Sequence, residues 1–103
     1  MSYDHACDMM LLKEGVVIST MMKTPCLRYH DEFLGMWFEK ADALIVKLPH
    51  SRVQELIEND LGLEFNFTKK PFKEWVLIPL DFEDQYLGYL EEALEFAKSK
   101  FKN

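Results

Sequence analysis

Two cysteine–histidine pairs are the residues of this chain whose types could do covalent or metal chemistry. Cys26 and His30 fall on one face of a predicted strand, and His5 and Cys7 lie in a predicted first helix. Thiolate and imidazole groups bind zinc, and a cysteine beside a histidine can act as a nucleophile. The short paired spacing of a zinc motif is missing, however, and no glycines near Thr24 mark an oxyanion hole. The sequence therefore favours buried structural cysteines and indicates no catalytic residue, metal site or cofactor.

A second candidate is a group of basic residues that is interleaved with aromatic ones. The basic residues are Arg28, Lys47, Lys69, Lys70 and Lys73, and the aromatic residues are Trp37, Phe72 and Trp75. Cations along a phosphate backbone, beside rings on which bases stack, are typical of single-strand nucleic-acid sites. The net charge of −6 opposes binding to a polyanion. Nucleic acid is therefore the alternative partner, and a protein is the favoured one.

The composition indicates a globular domain in a reducing compartment. The chain has 103 residues, of which 49% are hydrophobic, which is enough for one core. We expect residues 1–103 to form a single domain. Two cysteines are too few for a disulfide framework, which favours the cytoplasm. No apolar run approaches the roughly 20 residues of a membrane span, and the N-terminus does not resemble a signal peptide.

These residues must be positioned by a run of short elements, mostly strands. Asp4 can cap a first helix that Gly15 ends, and residues 16–22 form a strand that Thr24 and Pro25 break. Residues 26–30 and 33–38 form a hairpin, in which Gly35 leaves room for a neighbour or a bulge. Residues 43–48 form the next strand, with Leu44, Val46 and Leu48 on one face and with Ile45 and Lys47 on the other.

The second half of the chain predicts two helices and a central strand. Ser51 and Gln54 fit a capping box for a short helix. Phe65 and Phe67 alternate around Asn66 as a short edge strand. Pro71 and Pro79 then limit a strand to about residues 73–79, whose apolar residues require cover on both faces. Asp81 caps the last helix, whose inward stripe is Tyr86, Leu90, Ala93, Leu94, Ala97 and Phe101.

The predicted fold is α+β, a two-layer sandwich of an antiparallel sheet with helices in the order α-β-β-β-β-α-β(β)-α. Three segments in this order also resemble the TfoX N-terminal-domain-like family, which is related to the YjbR-like proteins. They are residues 21–27 (MMKTPCL), 43–48 (ALIVKL) and 70–76 (KPFKEWV). The resemblance implies a fold similar to that of secretion chaperones. Lys23 stands where the family commonly has glycine, so we expect a more ordinary backbone there, and Lys70 replaces a frequent arginine.

The motifs of that resemblance are structural, so the expected function is a non-enzymatic cytoplasmic interaction or regulatory domain with an unknown protein partner. The alternative is a nucleic-acid-associated accessory protein, related to transcription or competence regulation. Because several strands are apolar on both faces, the second face of the sheet needs cover, from the last helix or from another copy of the chain. We expect a homodimer through Trp37 and Ile45, flanked by Phe72.

Overall fold

The computed structural model describes residues 3–21, 23–65 and 72–100. The helices are α1 (Tyr3–Met10), α2 (His50–Glu58) and α3 (Tyr86–Ser99), and short 3₁₀ turns span Glu39–Ala41 and Leu80–Gln85. The strands are β1 (Val16–Met21), β2 (Thr24–Tyr29), β3 (Glu32–Phe38), β4 (Ala43–Lys47), β5 (Leu63–Glu64) and β6 (Trp75–Pro79). None of the described helices is long and apolar enough to cross a membrane.

The strands form one open antiparallel sheet in the order β1-β2-β3-β4-β6-β5. The α+β prediction is confirmed, in the order α-β-β-β-β-α-β-β-α. The predicted strand between the two prolines is β6, which lies between β4 and β5. The prediction of an edge strand at Phe65 and Phe67 is only approximate, because β5 ends at Glu64. Several residues named in the sequence predictions lie outside the described residues: Asn66, Phe67, Lys69, Lys70, Pro71 and Phe101.

The main core lies between the sheet and the helices, and alternation along the strands decides which residues enter it. Leu44, Val46 and Leu48 face the helices and are fully buried, as predicted. α3 packs against β3, β4 and α1 through its buried stripe of Tyr86, Leu90, Ala93, Leu94 and Ala97. Burial of these side chains supplies most of the driving force for packing helix against sheet.

A β-bulge bends the hairpin of β2 and β3 next to Gly35, where the sequence indicated either a bulge or room for a neighbouring side chain. Leu27 pairs with Gly35 and Arg28 pairs with Phe33, so Leu34 has no partner of its own. A bulge places two successive residues opposite one residue of the neighbouring strand. Leu34 therefore joins the helix-side core, while Phe33 and Met36 belong to the cluster on the opposite face.

The second face of the sheet is covered by the chain itself. A second cluster there contains Cys26, Phe33, Met36, Ala43, Ile45, Phe65, Trp75 and Leu77. Phe65 follows β5 at the edge, yet its ring centroid lies 5.5 Å from that of Phe38 in β3. It therefore reaches back over β6 and β4. Ile45, Met36 and Leu77 are at most 2% exposed in the single chain, and the buried residues of α3 all belong to the main core, so burial of this face needs neither the last helix nor a second copy.

Three local predictions are wrong. α3 begins at Tyr86 and not after Asp81, because residues Leu80–Gln85 form 3₁₀ turns that the non-helical backbone of Phe82 interrupts. The capping box does not form either: α2 begins at His50, directly after Pro49, and no side chain caps it. The first strand does end before Thr24, at Met21, but Thr24 and Pro25 lie within β2 and not in the break between the strands. Proline is tolerated at strand positions whose N–H is not used in the ladder.

The expectation of a more ordinary backbone at Lys23 is also wrong. Lys23 joins β1 to β2 with φ +65°, in the left-handed region. A side chain in that region costs roughly 1 kcal/mol relative to glycine. The glycine that the resembling family commonly has at this position would therefore suit the observed conformation better than lysine does.

Candidate functional site

The structure does not bring the three residues of the expected interaction surface together. Ile45 lies in the second cluster and is completely buried, so it is closed to a partner. Trp37 lies on the opposite face, where its ring centroid is 6.2 Å from that of Tyr3 and 6.4 Å from that of Tyr86. Phe72 alone is exposed, at 42% of its surface.

Phe72 is the outer member of a stack of three aromatic rings. The centroids of Phe72 and Trp75 are 4.6 Å apart at an interplanar angle of 23°, and those of Trp75 and Phe33 are 4.8 Å apart at 25°. Phe65 meets Trp75 edge-on at 5.1 Å. Phe33 and Trp75 are buried, so the stack runs from the core to the surface and fixes the inner face of the Phe72 ring.

Beside this stack lies a surface cleft of about 650 Å³, the Phe72 cleft. Its lining residues are Met21, Arg28, Asp31, Glu32, Phe33, Lys47, His50, Phe72, Lys73, Glu74 and Trp75. The sequence predicted that Arg28, Lys47 and Lys73 lie near Phe72 and Trp75, and the structure brings these five together. It places Trp37 elsewhere. The three carboxylates beside them were missed, since Asp31 and Glu32 appear in the sequence only as a tight turn.

The ammonium groups at one end of the cleft are engaged in ion pairs. Lys47 Nζ lies 3.5 Å from Glu32 Oε2 and 4.0 Å from Glu74 Oε1. Lys100 Nζ, from the end of α3, lies 3.8 Å and 3.9 Å from the same two oxygens. Burial, and next the neighbouring Lys100 ammonium, lower the pKa of Lys47. This cluster joins β3, β4, the approach to β6 and the end of α3.

Arg28 and Lys73 are the remaining cations of the Phe72 cleft. The Arg28 guanidinium donates a hydrogen bond from Nη1 to the carbonyl oxygen of Asp31 at 2.9 Å, which holds it across the β2–β3 turn. No ion pair of Lys73 occurs among residues 3–21, 23–65 and 72–100. The cleft thus presents an aromatic ring, a fixed guanidinium and a lysine beside three carboxylates, so its charge is nearly balanced.

The cysteines and histidines do not assemble into a metal centre within the part of the chain that the structure describes. Cys7 lies on α1 beside Tyr3, and burial raises the pKa of both the Cys7 thiol and the Tyr3 hydroxyl. Cys26 is completely buried in the second cluster, and burial raises the pKa of its thiol as well. Both thiols are therefore protonated at neutral pH, and a protonated thiol is a poor nucleophile.

A second cleft, of about 680 Å³, lies on the helix side of the sheet. Tyr3, Cys7 and Trp37 line it together with Ile18 of β1, and Lys23, Glu39 and Glu83 are among its charged residues. Among the residues that the structure describes, none of the buried ones is polar or charged. The cleft borders the edge of the sheet that β1 forms.

Sequence reasoning found the strand β1 but not its position at the edge. Within the described residues β1 pairs with β2 alone, so its other side presents backbone groups that no described strand pairs with. Its residues are VVISTM, and Val17 and Ile18 are 49% and 50% exposed. The run of apolar and uncharged residues was a signal, because a six-residue strand without a charge favours pairing with another strand.

Comparison with known proteins adds no relative. No family model, no curated protein and no solved structure matches the chain.

Proposed function

We propose that the chain is a non-enzymatic interaction domain whose partner-binding surface is the Phe72 cleft. The observation that carries this proposal is the three-ring stack, which holds Phe72 half-exposed while Phe33 and Trp75 anchor it in the core. Aromatic residues dominate the binding energy of many interfaces. A ring that is already fixed before binding loses little conformational entropy when a partner covers it.

The chemistry of the cleft favours a protein segment as the partner. Arg28, Lys47 and Lys73 are matched in number by Asp31, Glu32 and Glu74. A peptide carries both charges and can complement such a surface, whereas a polyanion would meet the carboxylates. We therefore propose a segment that places an aromatic or arginine side chain on the exposed face of Phe72, where stacking is favourable.

Two further observations support a role without catalysis in the cytoplasm. Burial keeps the thiols of Cys7 and Cys26 protonated, and neither thiol is paired in a disulfide. Free thiols are typical of a reducing compartment. The resemblance to the TfoX N-terminal-domain-like family points the same way, and it stays a prediction because no family model matches.

A selection experiment tests the proposal with a defined probe. A phage-displayed library of random 12-residue peptides is selected on the purified protein, and enriched peptides are titrated by fluorescence anisotropy. We expect micromolar binders whose affinity falls at least tenfold in Phe72→Ala, which corresponds to about 1.4 kcal/mol. Leu12→Ala is the matched control, because Leu12 is 79% exposed and lies outside the cleft. Peptides that bind both variants equally would place the partner surface elsewhere.

A nucleic-acid-associated accessory protein is the second candidate, and one observation favours it: Arg28 and Lys73 line the same cleft as the exposed Phe72 ring. Mixed-sequence single-stranded DNA and RNA of 12 nucleotides, titrated between 50 mM and 300 mM salt, separate the two candidates. The protein-partner proposal predicts no binding below 100 µM. Micromolar binding that weakens steeply with salt, and that Phe72→Ala and Lys73→Ala both reduce, would favour the nucleic-acid function instead.

A further inference from the structure

The free edge of β1 has a definite set of outward backbone groups. The N–H of His30 donates to the carbonyl oxygen of Gly15 at 3.3 Å, so the Gly15–His30 pair is a hydrogen-bonded one. In an antiparallel ladder such pairs alternate with pairs that are not hydrogen-bonded. In the observed register, Val17, Ser19 and Met21 therefore bond to β2. Ile18 and Thr20 direct their N–H and C=O groups outward.

The proline of β2 agrees with this alternation. Pro25 has no N–H and lies opposite Thr20, which is a pair that is not hydrogen-bonded. The ladder thus loses nothing at Pro25, and the backbone groups of Thr20 are left for another strand.

The edge also lacks the devices that keep a strand from pairing. Charged side chains, prolines and bulges are the usual protection of an exposed edge. β1 has six residues, none of them charged and none a proline, and its pairing with β2 runs without a register shift. The opposite edge, β5, has only two described residues and includes Glu64.

We propose that a second copy of this chain pairs with β1, antiparallel and symmetric about Ser19. In this register Ile18 faces Thr20 of the other copy, and each of these two pairs exchanges both of its N–H···O bonds. Ser19 faces Ser19 across the two-fold axis. Val17 faces Met21 of the other copy, so two apolar contacts form on the face of the second cluster. The two six-stranded sheets become one continuous sheet, with the helices of both copies on the same side.

Charge complementarity favours a second copy over an unrelated strand. Glu14 precedes β1 and Lys23 follows it, and both are exposed. In the symmetric register Lys23 of each copy faces Gly15 of the other, and Glu14 is the next residue along the chain. The acidic end of each strand therefore adjoins the basic end of the other copy's strand. Within the described part of the chain, neither residue forms an ion pair, whereas the nearby Lys13 is engaged by Glu91 at 3.1 Å. The strand is thus complementary to itself in hydrogen bonds, apolar contacts and charge.

This dimer does not rest on the proposed function, because Phe72 and its cleft play no part in it. It also differs from the dimer expected from the sequence, whose residue Ile45 is completely buried within the chain's own second cluster.

A disulfide across the two-fold axis tests the register. In a pair that is not hydrogen-bonded the Cα atoms lie about 4.5 Å apart, within the range of a disulfide. Ser19→Cys is prepared in a Cys7→Ser, Cys26→Ala background, because Cys26 lies opposite Ser19 in the same chain. With oxidised glutathione as the oxidant, we expect most of the protein to run as a covalent dimer on non-reducing gels. Thr20→Cys is the control, since its diagonal partner lies about 7–8 Å away.

Sedimentation equilibrium, combined with an exchange of the two charged residues, tests the dimer without an introduced cysteine. We expect a mass of twice the 12.2 kDa of the chain at micromolar concentration. Glu14→Lys and Lys23→Glu should each weaken dimerisation about tenfold, and the double variant should return within about twofold of the parent. Ile18→Lys should weaken it more, whereas Leu63→Lys, on the other edge strand and similarly exposed, should not.

Three results would overturn the proposal. A monomer at 200 µM would exclude the dimer. Equal cross-linking of the Ser19→Cys and Thr20→Cys variants would exclude the register. A dimer that resists Ile18→Lys but dissociates in Leu63→Lys would place the contact on the opposite edge.

Discussion

The side chain of Leu90 occupies the space that a side chain at Gly35 would need. A Cβ atom built on Gly35 would lie 2.8 Å from Leu90 Cδ2 and 2.7 Å from the carbonyl oxygen of Ile45. The second neighbour is backbone in the adjacent strand and cannot turn away. Next to the bulge, the absence of a side chain at Gly35 is what lets α3 approach β3 so closely.

We therefore expect Gly35→Ala to lower the free energy of unfolding by about 1–3 kcal/mol, because overpacking moves the backbone or Leu90. Gly88→Ala is the matched control. Gly88 lies inside α3, and a Cβ atom there would meet nothing within 4 Å. Alanine is favoured over glycine in a helix, so this variant should gain about 0.5–1 kcal/mol. Urea unfolding measures both, and a harmless Gly35→Ala would contradict the close packing.

The aromatic stack leads to a second prediction, which concerns Trp75. It is 8% exposed and lies between the rings of Phe33 and Phe72, with Phe65 at its edge. Trp75→Ala should cost about 3–5 kcal/mol, because it opens a cavity among three aromatic rings. Phe72→Ala, at the outer end of the same stack, should cost about 1 kcal/mol or less. Equal losses in urea melts would mean that Phe72 is as important for folding as Trp75.

The alternation of side chains made much of this fold predictable. The alternation of Leu44 and Val46 with Ile45 predicted the two faces of β4 correctly. The stripe from Tyr86 to Ala97 likewise predicted the buried side of α3. Such patterns report which side of an element is buried, because strands repeat every two residues and helices every 3.6. The start of α3 was not predictable in this way, since Asp81 is also a good residue for the 3₁₀ turn that precedes it.

The candidate sites were less predictable, because they depend on the order of strands and on the path of a connection. Alternation does not reveal that Phe65 reaches back as far as Phe38, or that Ile45 is completely buried, which closes the expected interaction surface. Alternation likewise does not reveal that β1 lies at the edge of the sheet, because this depends on β3, β4, β5 and β6 all pairing elsewhere. Phe72, Lys73 and Trp75 could be grouped from sequence because they lie near one another along β6 and its approach, and Arg28 and Lys47 joined them through their places in the predicted sheet.

A buried hydrogen bond provides a third prediction. The hydroxyl of Tyr86 donates to the carbonyl oxygen of Ile78 at 3.1 Å, and Tyr86 is completely buried. Tyr86→Phe leaves that carbonyl oxygen without this donor, so it should cost about 1–2 kcal/mol. Tyr89→Phe, one turn further along α3, is the control, because no hydrogen bond of its hydroxyl occurs among the described residues. If Tyr89→Phe cost as much as Tyr86→Phe, the bond to Ile78 would not be the cause.

The same hydroxyl gives the protein a defined sensitivity to alkali. Burial raises the pKa of Tyr86 from 10.0 to about 12. Above pH 10 the unfolded chain loses this proton while the folded chain keeps it. The stabilisation is therefore fully present below pH 10, falls as the pH rises, and is lost by about pH 12. We expect the difference in the free energy of unfolding between the parent and Tyr86→Phe to shrink by about 1 kcal/mol between pH 9 and pH 11.

Comparing the parent protein with Tyr86→Phe isolates the contribution of the Tyr86 hydroxyl. Burial also raises the pKa values of Tyr3 and Tyr89, but both residues titrate identically in the parent and in Tyr86→Phe. Urea unfolding at pH 8, 9, 10 and 11 gives the difference in the free energy of unfolding at each pH. A difference that stays constant to pH 11 would mean that Tyr86 ionises as readily in the folded chain as in the unfolded one. The hydroxyl would then be open to solvent, and its bond to Ile78 could not be a buried one.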